Sequence, residues 1–348
     1  MVDDLEFRKK KILKAIIKEH ILTAQPIGSR TLGKKYDFGV SSATIRNEMA
    51  DLEDLGYLEQ PHTSAGRIPS DRGYRFYVDV LMDDKEYSPK QFQGSLEDLY
   101  HEMKGMQGII SETARMVSRL TRYATMVSEP RLEDSSIKKF QLIRVNSGSL
   151  LVVLITDTGI VNDKIIKLKN DLEEKQVRYM NKFLVEHLHG RKLIDIDDSF
   201  MNSLKKKLLK RVNLSQEFFT ALSRELDKIA KSRDLRIYIG GTSYILEQPE
   251  FSDLETLKKV LNIFDEKERL RKLIADSTDD GLEVRIGHEN ELEEMQNCSL
   301  VLAAYSLGKR ARGKIGVVGP TRMEYPRVIS TVDFVSRVLG EIISEVSR

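Results

Sequence analysis

The sequence has 348 residues, of which 40% are hydrophobic and 32% charged, and its formal net charge is +2. This length exceeds the size at which a single core usually keeps growing, so two or three domains are expected, and the composition excludes extensive disorder. The single cysteine, Cys298, excludes an intramolecular disulfide. Because the chain also shows no signal-peptide pattern and no run of 18 apolar residues, we expect a cytoplasmic protein with no membrane partner.

The first 80 residues predict three short helices in succession. The first helix is indicated by apolar residues at helical spacing: Leu13, Ile16, Ile17 and Ile21. Pro26 and Gly28 then break the chain, Ser29 is a candidate cap for a second helix over 29–36, and Ser41 is a candidate cap for a third. The third helix is expected to bury one apolar face: Ile45, Met49, Leu52 and Leu55.

The third helix leaves polar side chains exposed near its N-terminus, where helix-turn-helix proteins contact base edges. These candidate DNA-binding residues are Ser42, Thr44, Arg46 and Asn47. Residues 57–60 and 67–69 then predict a β-hairpin that would place Arg67 on a wing, with His62 and Thr63 as further donors. Lys34 or Lys35 is expected to help hold a phosphate. Three helices followed by a hairpin is the order of a winged helix-turn-helix.

The remainder predicts an α+β protein. After a helix over 70–81, polar residues 83–90 indicate a linker. Strands are expected in an antiparallel meander over 140–168, at 236–239 and 282–286, and in a pair at 299–305 and 314–318. Helices are expected in the intervals and at the end: a long region to about 123, then 171–189, 198–212, 215–232, 254–274, 289–297 and 328–346.

Enzyme and metal sites are not favoured. Residues 308–314 resemble a phosphate-binding P-loop, but Ile315 stands where Ser or Thr is required and a strand is expected to follow. His288 lies among several glutamates, a pattern more typical of a solvated face than of a metal site. We therefore expect no catalysis, no cofactor and no metal.

Several motifs closely resemble the bacterial heat-inducible transcription repressor HrcA family. They are Gly28–Leu32, Val40–Gly56, His62–Pro69, Gly73–Val78, Ile239–Thr242 and Gly316–Met323. These motifs are spread over essentially the full chain. The resemblance implies a homodimer that binds double-stranded DNA at an inverted-repeat operator of chaperone operons, with activity dependent on the GroEL chaperonin.

The resemblance also implies a domain organisation. It comprises a winged helix-turn-helix over 1–82, a linker over 83–90, a GAF-like α/β domain with an antiparallel sheet over 91–170 and 250–348, and a dimerisation domain inserted at 171–249. Because GAF-like domains often bind small molecules, a regulator controlled by a small effector is the alternative function. Dependence of DNA binding on an effector would distinguish the two.

Overall fold

The computed structural model shows a mixed α/β chain with antiparallel sheets. It describes residues 5–62, 65–83, 87, 106–130, 135–157, 159, 161–168, 172–209, 216–230, 236–275, 281–307 and 311–346. Most of the predicted linker 83–90 lies outside these residues. Within the described residues, no helix is both long and apolar enough to cross a membrane.

The N-terminal head, residues 5–81, contains four helices and one hairpin. Its elements are α1 (Phe7–Thr23), α2 (Ser29–Lys35), α3 (Ser42–Asp54), β1 (Leu58–Glu59), β2 (Ile68–Pro69) and α4 (Asp71–Phe76), which continues as a π-helical turn over Tyr77–Leu81. Ser41 caps α3, as expected, whereas α2 begins at Ser29 itself and has Gly28 in the cap position. In the hairpin, Leu58 pairs with Pro69. The predicted order of three helices and a hairpin is confirmed.

The core of the head follows the apolar periodicity of its helices. Its fully buried members include Ile12, Leu13, Ile16, Ile17, Leu32, Ile45 and Leu52. Leu55, predicted to lie inward, is 44% exposed because α3 has already ended and Leu55 occupies the C-cap. Gly56 follows with a φ of +78°, a conformation that glycine adopts without strain, and turns the chain toward β1.

The body consists of a five-stranded antiparallel sheet between two layers of helices. Its strands, β3 (Ala124–Ser128), β7 (Ile237–Gly240), β8 (Leu282–Ile286), β9 (Cys298–Leu307) and β10 (Ala311–Pro320), have the spatial order β7-β3-β10-β9-β8. One face packs on α5 (Met106–Thr121) and α12 (Tyr325–Val346). The other packs on α10 (Leu254–Asp265) and α11 (Lys267–Ala275), after the short helix α9 (Ser243–Leu246).

The insertion, residues 135–230, leaves the body after β3 and returns to it at β7. Its elements are β4 (Ile137–Asn146), β5 (Ser149–Thr156), β6 (Val161–Lys167), α6 (Glu174–Leu188), α7 (Asp198–Leu209) and α8 (Gln216–Ala230). The strands form a separate sheet in the order β4-β5-β6, and with the helices they share a core distinct from that of the body. Thr125 of β3 pairs directly with Gly240 of β7, so the two ends of the insertion are neighbours.

This arrangement differs from the predicted division. The meander was assigned to the body and the insertion to 171–249, whereas the meander packs with α6–α8 and β7 belongs to the body sheet. Alternation of buried and exposed residues identifies a strand but does not say which sheet it joins. The three strands of the meander were themselves predicted correctly.

Two predicted helices are also wrong in detail. The helix expected over 254–274 is interrupted at Glu266, and the one expected over 289–297 is replaced by two 3₁₀ turns. The buried amide of Asn290 donates to the carbonyls of Gly287, Met295 and Cys298 at 3.0, 3.2 and 3.0 Å. These side-chain bonds hold the backbone in turns, in competition with helix formation.

Candidate nucleic-acid interface

The N-terminal half of α3 presents polar side chains to solvent. Ser42, Arg46 and Asn47 are exposed, and Thr44 is half-buried. The Ser41 hydroxyl accepts a hydrogen bond from the Thr44 amide at 3.2 Å and lies 3.0 Å from the Thr44 hydroxyl. Thr44 therefore helps to form the cap, and the three exposed residues form the outward face of the helix start.

The acidic residues of α3 are paired within the head. Lys9 of α1 lies 2.9 Å from Glu48 and 3.1 Å from Asp51, and Arg8 lies 3.7 Å from Glu48. These hydrogen bonds raise the pKa of Lys9. Glu48 is only 8% exposed, so its charge faces α1 rather than solvent. The charges of Glu48 and Asp51 are thus compensated by α1, while Asp54 at the far end of α3 is exposed.

The hairpin is attached to the loop between α1 and α2. Arg67 and Ile27 exchange two backbone hydrogen bonds of 2.9 Å. A Cβ atom on Gly66 would lie 2.4 Å from the carbonyl of Ile27, so only glycine fits at this approach. Gly66 is therefore a residue of close backbone contact.

The basic side chain of the hairpin is itself paired. Arg67 lies 2.7 Å from Glu53 near the end of α3, and its side chain is 19% exposed. His62 is exposed near the tip of the hairpin. Thr63 falls outside the described residues, so its predicted contribution stays a prediction, as do those of the other site residues.

The two lysines at the end of α2 have different surroundings. Lys34 is exposed. Lys35 is paired with the buried Glu19 at 2.7 Å, and the hydroxyl of Tyr36 donates to the same carboxylate at 2.7 Å. Mainly because of the Lys35 hydrogen bond, the pKa of Glu19 is lowered. Lys35 thus joins α2 to α1, a tertiary role that no spacing in the sequence indicates.

The structure also places the residues that were weighed as candidates for a metal, catalytic or phosphate site. The Nδ1 atom of His288 lies 2.8 Å from Asp71 of α4. Within the described ranges, no three His, Cys, Asp or Glu side chains form a group that could hold a metal ion. Burial raises the pKa of the Cys298 thiol to about 12. β10 begins at Ala311, within the P-loop-like segment 308–314, and continues beyond it antiparallel to β9, so a strand follows the segment as expected.

Comparisons with known proteins agree with the full-length resemblance. Residues 107–329 match the family described as HrcA protein C terminal domain. The chain is 38% identical over 343 residues to a heat-inducible transcription repressor HrcA from Symbiobacterium thermophilum, covering 98% of this chain and 99% of the relative. It is 40% identical over 343 residues to the protein of the same name from Thermoanaerobacter pseudethanolicus, covering 98% of each.

A solved structure shares the fold. It is described as a hypothetical protein and matches with a TM-score of 0.61 at 23% identity, over 98% of this chain and 99% of that chain.

Proposed function

The chain belongs to the HrcA family of heat-inducible transcription repressors, and we propose that it represses chaperone operons by binding an inverted-repeat operator as a homodimer. As a member of this family it is a negative regulator of transcription in the heat-shock response. A repressor acts where its DNA lies, so the proposed location is the cytoplasm.

The proposed reading element is the N-terminal head, acting as a winged helix-turn-helix. The observation that carries this proposal is the exposure of Arg46 and Asn47 on the start of α3, while Glu48 and Asp51 of that helix are paired with Lys9 and Glu53 is paired with Arg67. In the major groove, arginine can bind guanine O6 and N7, and asparagine can bind adenine N6 and N7. Ser42 and the amides at the start of α3 are suited to a phosphate.

A homodimer would present two heads to two half-sites related by symmetry, which is how helix-turn-helix dimers recognise inverted repeats. We place the dimer contact on the outer face of the β4-β5-β6 sheet. On this face Ile143, Val161 and Ile165 are 39%, 54% and 59% exposed. They lie around half-buried apolar residues of β5, because Leu151 pairs with both Ile143 and Ile165.

We propose that this face packs against the same face of a second copy of the chain. The opposite face of the sheet is already buried against the insertion helices. The same face also carries the exposed polar residues Lys139, Gln141 and Asp163. Two identical sheet faces can pack about 10 Å apart around a twofold axis, and each would then bury the apolar residues of the other. Clustered exposed apolar side chains of this kind mark association sites.

The dimer surface is tested by placing a charge within it. Ile165→Asp is expected to raise the dimer dissociation constant by about tenfold or more in sedimentation equilibrium, because a carboxylate would be buried without a partner. Leu246→Asp is the matched control, since Leu246 of α9 is 62% exposed outside this face. Equal effects of the two substitutions, or none, would place the interface elsewhere.

The proposal also assigns the body, a five-stranded antiparallel sheet between helices, as the GAF-like domain.

The proposed dependence on the GroEL chaperonin is supported by the topology of the body. β3 pairs with β7 across the insertion and with β10 near the end of the chain. Such long-range pairings form slowly and leave apolar surface exposed during folding.

The proposed function is tested by DNA titrations at several fixed salt concentrations. The purified protein is compared on an inverted-repeat operator, a single half-site and a scrambled duplex, with and without GroEL and ATP. Strong preference for the full repeat, increased by the chaperonin, is expected. Equal affinity for all three duplexes would refute sequence-specific repression, and a change of affinity only with an added small molecule would favour the effector-controlled alternative.

A further inference from the structure

The head is packed onto the body through a pair of buried tyrosines. Tyr74 of α4 is 1% exposed, and its ring centroid lies 5.8 Å from that of Tyr325, the first residue of α12. The buried apolar residues of the head and of the α5–α12 layer form one continuous cluster. This packing holds the two units together, but apolar contact is not directional and does not by itself fix the angle between them.

On one side of the tyrosine pair, an arginine of the head reaches the body. Arg75 of α4 donates from Nε to Oε1 of Glu289 at 2.9 Å and from Nη2 to the carbonyl of Val284 at 2.6 Å, and Nη2 also contacts Oε2 of Glu289. The side-chain hydrogen bond to Glu289 is the main reason that the pKa of Arg75 is raised. Beside it, Asp71 accepts from the backbone amide of His288 at 2.9 Å.

On the other side, an arginine of the body reaches the head. Arg322, which follows β10, donates from Nη1 to the carbonyl of Ile21 in α1 at 3.1 Å. Its Nη2 donates to the Gln248 side chain at 3.1 Å, and its Nε contacts Glu250. Its side chain is only 12% exposed. The planar guanidinium therefore connects α1 to two side chains of the body in one fixed geometry.

The hydrogen bonds of the two arginines, together with those between Asp71 and His288, are directional, whereas the packing of the tyrosines is not. We propose that Arg75 and Arg322 are positioning residues that hold the head at one angle to the body and thereby set the half-site spacing that the dimer recognises. In the docked arrangement, Ser42, Arg46 and Asn47 remain exposed. Within one chain, the contacts therefore orient the reading surface without covering it.

The effect on half-site spacing rests on the proposed function, whereas the fixed angle between head and body does not. If each head is fixed to its body, the separation of two heads in a dimer is fixed as well. A change in half-site spacing rotates one site around the duplex by a full turn in about 10.5 base pairs. A dimer with rigidly held heads must therefore bind much more weakly when one half-site is displaced by half a helical turn. Loosely held heads would reorient and bind both spacings with similar affinity.

The first experiment compares operators that differ only in the spacing between half-sites. The variants are Arg75→Ala, Arg322→Lys and the double substitution in the full chain, and the control is Arg337→Ala. Arg337 makes an exposed ion pair with Asp333 of α12 at 2.7 Å, and among the described residues no hydrogen bond or ion pair joins it to the head. Wild-type protein and control are expected to prefer the optimal spacing over a half-turn displacement by about tenfold or more. The double variant is expected to reduce this preference to about twofold while keeping its affinity for a single half-site.

The second experiment measures the orientation of the head without DNA. Spin labels are placed at Phe7→Cys on α1 and Leu254→Cys on α10, two positions that are 73% and 60% exposed. Cys298 is fully buried and its thiol stays protonated, so it does not compete for the label. Labelled chains are diluted with unlabelled protein, so that only distances within one chain are recorded. A narrow distance distribution is expected for the wild type, and a broader one for each arginine variant.

The two experiments separate the possible failures. Unchanged spacing preference and unchanged distance distribution in the double variant would overturn the inference. A wild-type protein that does not prefer two half-sites over one would instead refute the proposed function, while the distance measurement would still test the clamp. If the double variant does not fold, Glu289→Gln, which weakens the partner of Arg75 and leaves the head unchanged, takes its place. Because the Arg322 contacts remain, a smaller loss of spacing preference and a smaller broadening of the distance distribution are expected, and no change in either would overturn the inference.

Discussion

Arg67 of the hairpin is paired with Glu53 of α3, with 2.7 Å between Nη2 and Oε2. The residue predicted to extend from the wing toward DNA is thus held against the helix proposed to read the major groove. An arginine that must exchange a carboxylate for a phosphate gains less on binding than one that starts from water. The pair therefore limits what the wing contributes to affinity.

Glu53→Gln is expected to increase affinity for every duplex, because it releases Arg67 and removes a negative charge near the DNA. Each additional phosphate contact should steepen the plot of log affinity against log salt concentration by about 0.9. Asp54→Asn is the matched control, since Asp54 is exposed on the same turn and its replacement removes the same charge. Titrations over a range of salt concentrations would contradict the role of the pair if both substitutions changed the slope equally.

The exposed face of α3 could be predicted from sequence because apolar periodicity and a capping serine define which residues point outward. The ion pairs of its acidic residues could not be predicted in this way. Glu48 and Asp51 are paired with Lys9, and Glu53 with Arg67, which lie far from them in the chain. Such ion pairs depend on how α1 and the hairpin pack against α3, which no local spacing encodes.

The two lysines of α2 are expected to respond differently to replacement by alanine. Lys34→Ala should lower affinity for specific and random DNA alike and reduce the salt slope by about 1, with little change in stability. Lys35→Ala should lower the free energy of unfolding by about 1–3 kcal/mol, because Glu19, which is 4% exposed, loses its charged partner. Denaturant unfolding and salt-dependent titration of both variants would measure the contrast. Equal stability of the two variants would show that the Lys35–Glu19 pair has no structural role.

Gly66→Ala is expected to displace the hairpin from the loop between α1 and α2. The added Cβ would lie 2.4 Å from the Ile27 carbonyl, and relief of this overlap should cost about 1–3 kcal/mol of stability. Hydrogen exchange at the amides of Ile27 and Arg67 should accelerate, because these residues exchange the backbone bonds that attach the hairpin.

Gly28→Ala provides the control for this substitution. A Cβ at Gly28 meets no atom within 4 Å and the residue has a negative φ, so the change should alter stability by no more than about 0.5 kcal/mol. Normal amide protection in the Gly66→Ala variant would contradict the close contact.

Much of the body and insertion could be predicted as elements but not as an assembly. The meander turns at Gly148 and Gly159, both with positive φ, were visible as turn sequences. Its assignment to the insertion could not be predicted. This assignment depends on which helices cover Phe140 and Leu154, and both faces of the meander carry apolar residues. Similarly, the contacts of Arg75 with Glu289 and of Arg322 with Ile21 could not be predicted, because these partners lie 214 and 301 residues away in the sequence.

His20 makes the stability of the head sensitive to acid. Its Nδ1 atom lies 2.6 Å from the hydroxyl of the buried Tyr74, and burial, together with the nearby charge of Arg322, lowers the pKa of His20 to about 4. Between pH 4 and the ordinary histidine value near 6.5, the unfolded chain therefore binds a proton that the folded chain does not. The free energy of unfolding should consequently fall as the pH is lowered from about 6.5 to about 4, by at most about 1.4 kcal/mol per pH unit from this one group.

His20→Gln should remove this contribution, because an amide oxygen can still accept from Tyr74 but does not titrate. Other groups titrate in the same range, so the decisive quantity is the difference between wild-type and variant stability at each pH, measured by denaturant unfolding. That difference should change in the variant's favour as the solution is acidified. His62→Gln is the control, because it makes the same replacement at an exposed histidine of the head. A His20→Gln protein with the same pH dependence as wild type would mean that His20 gains its proton equally well in the folded and unfolded chain, and that the contact with Tyr74 does not depend on a neutral imidazole.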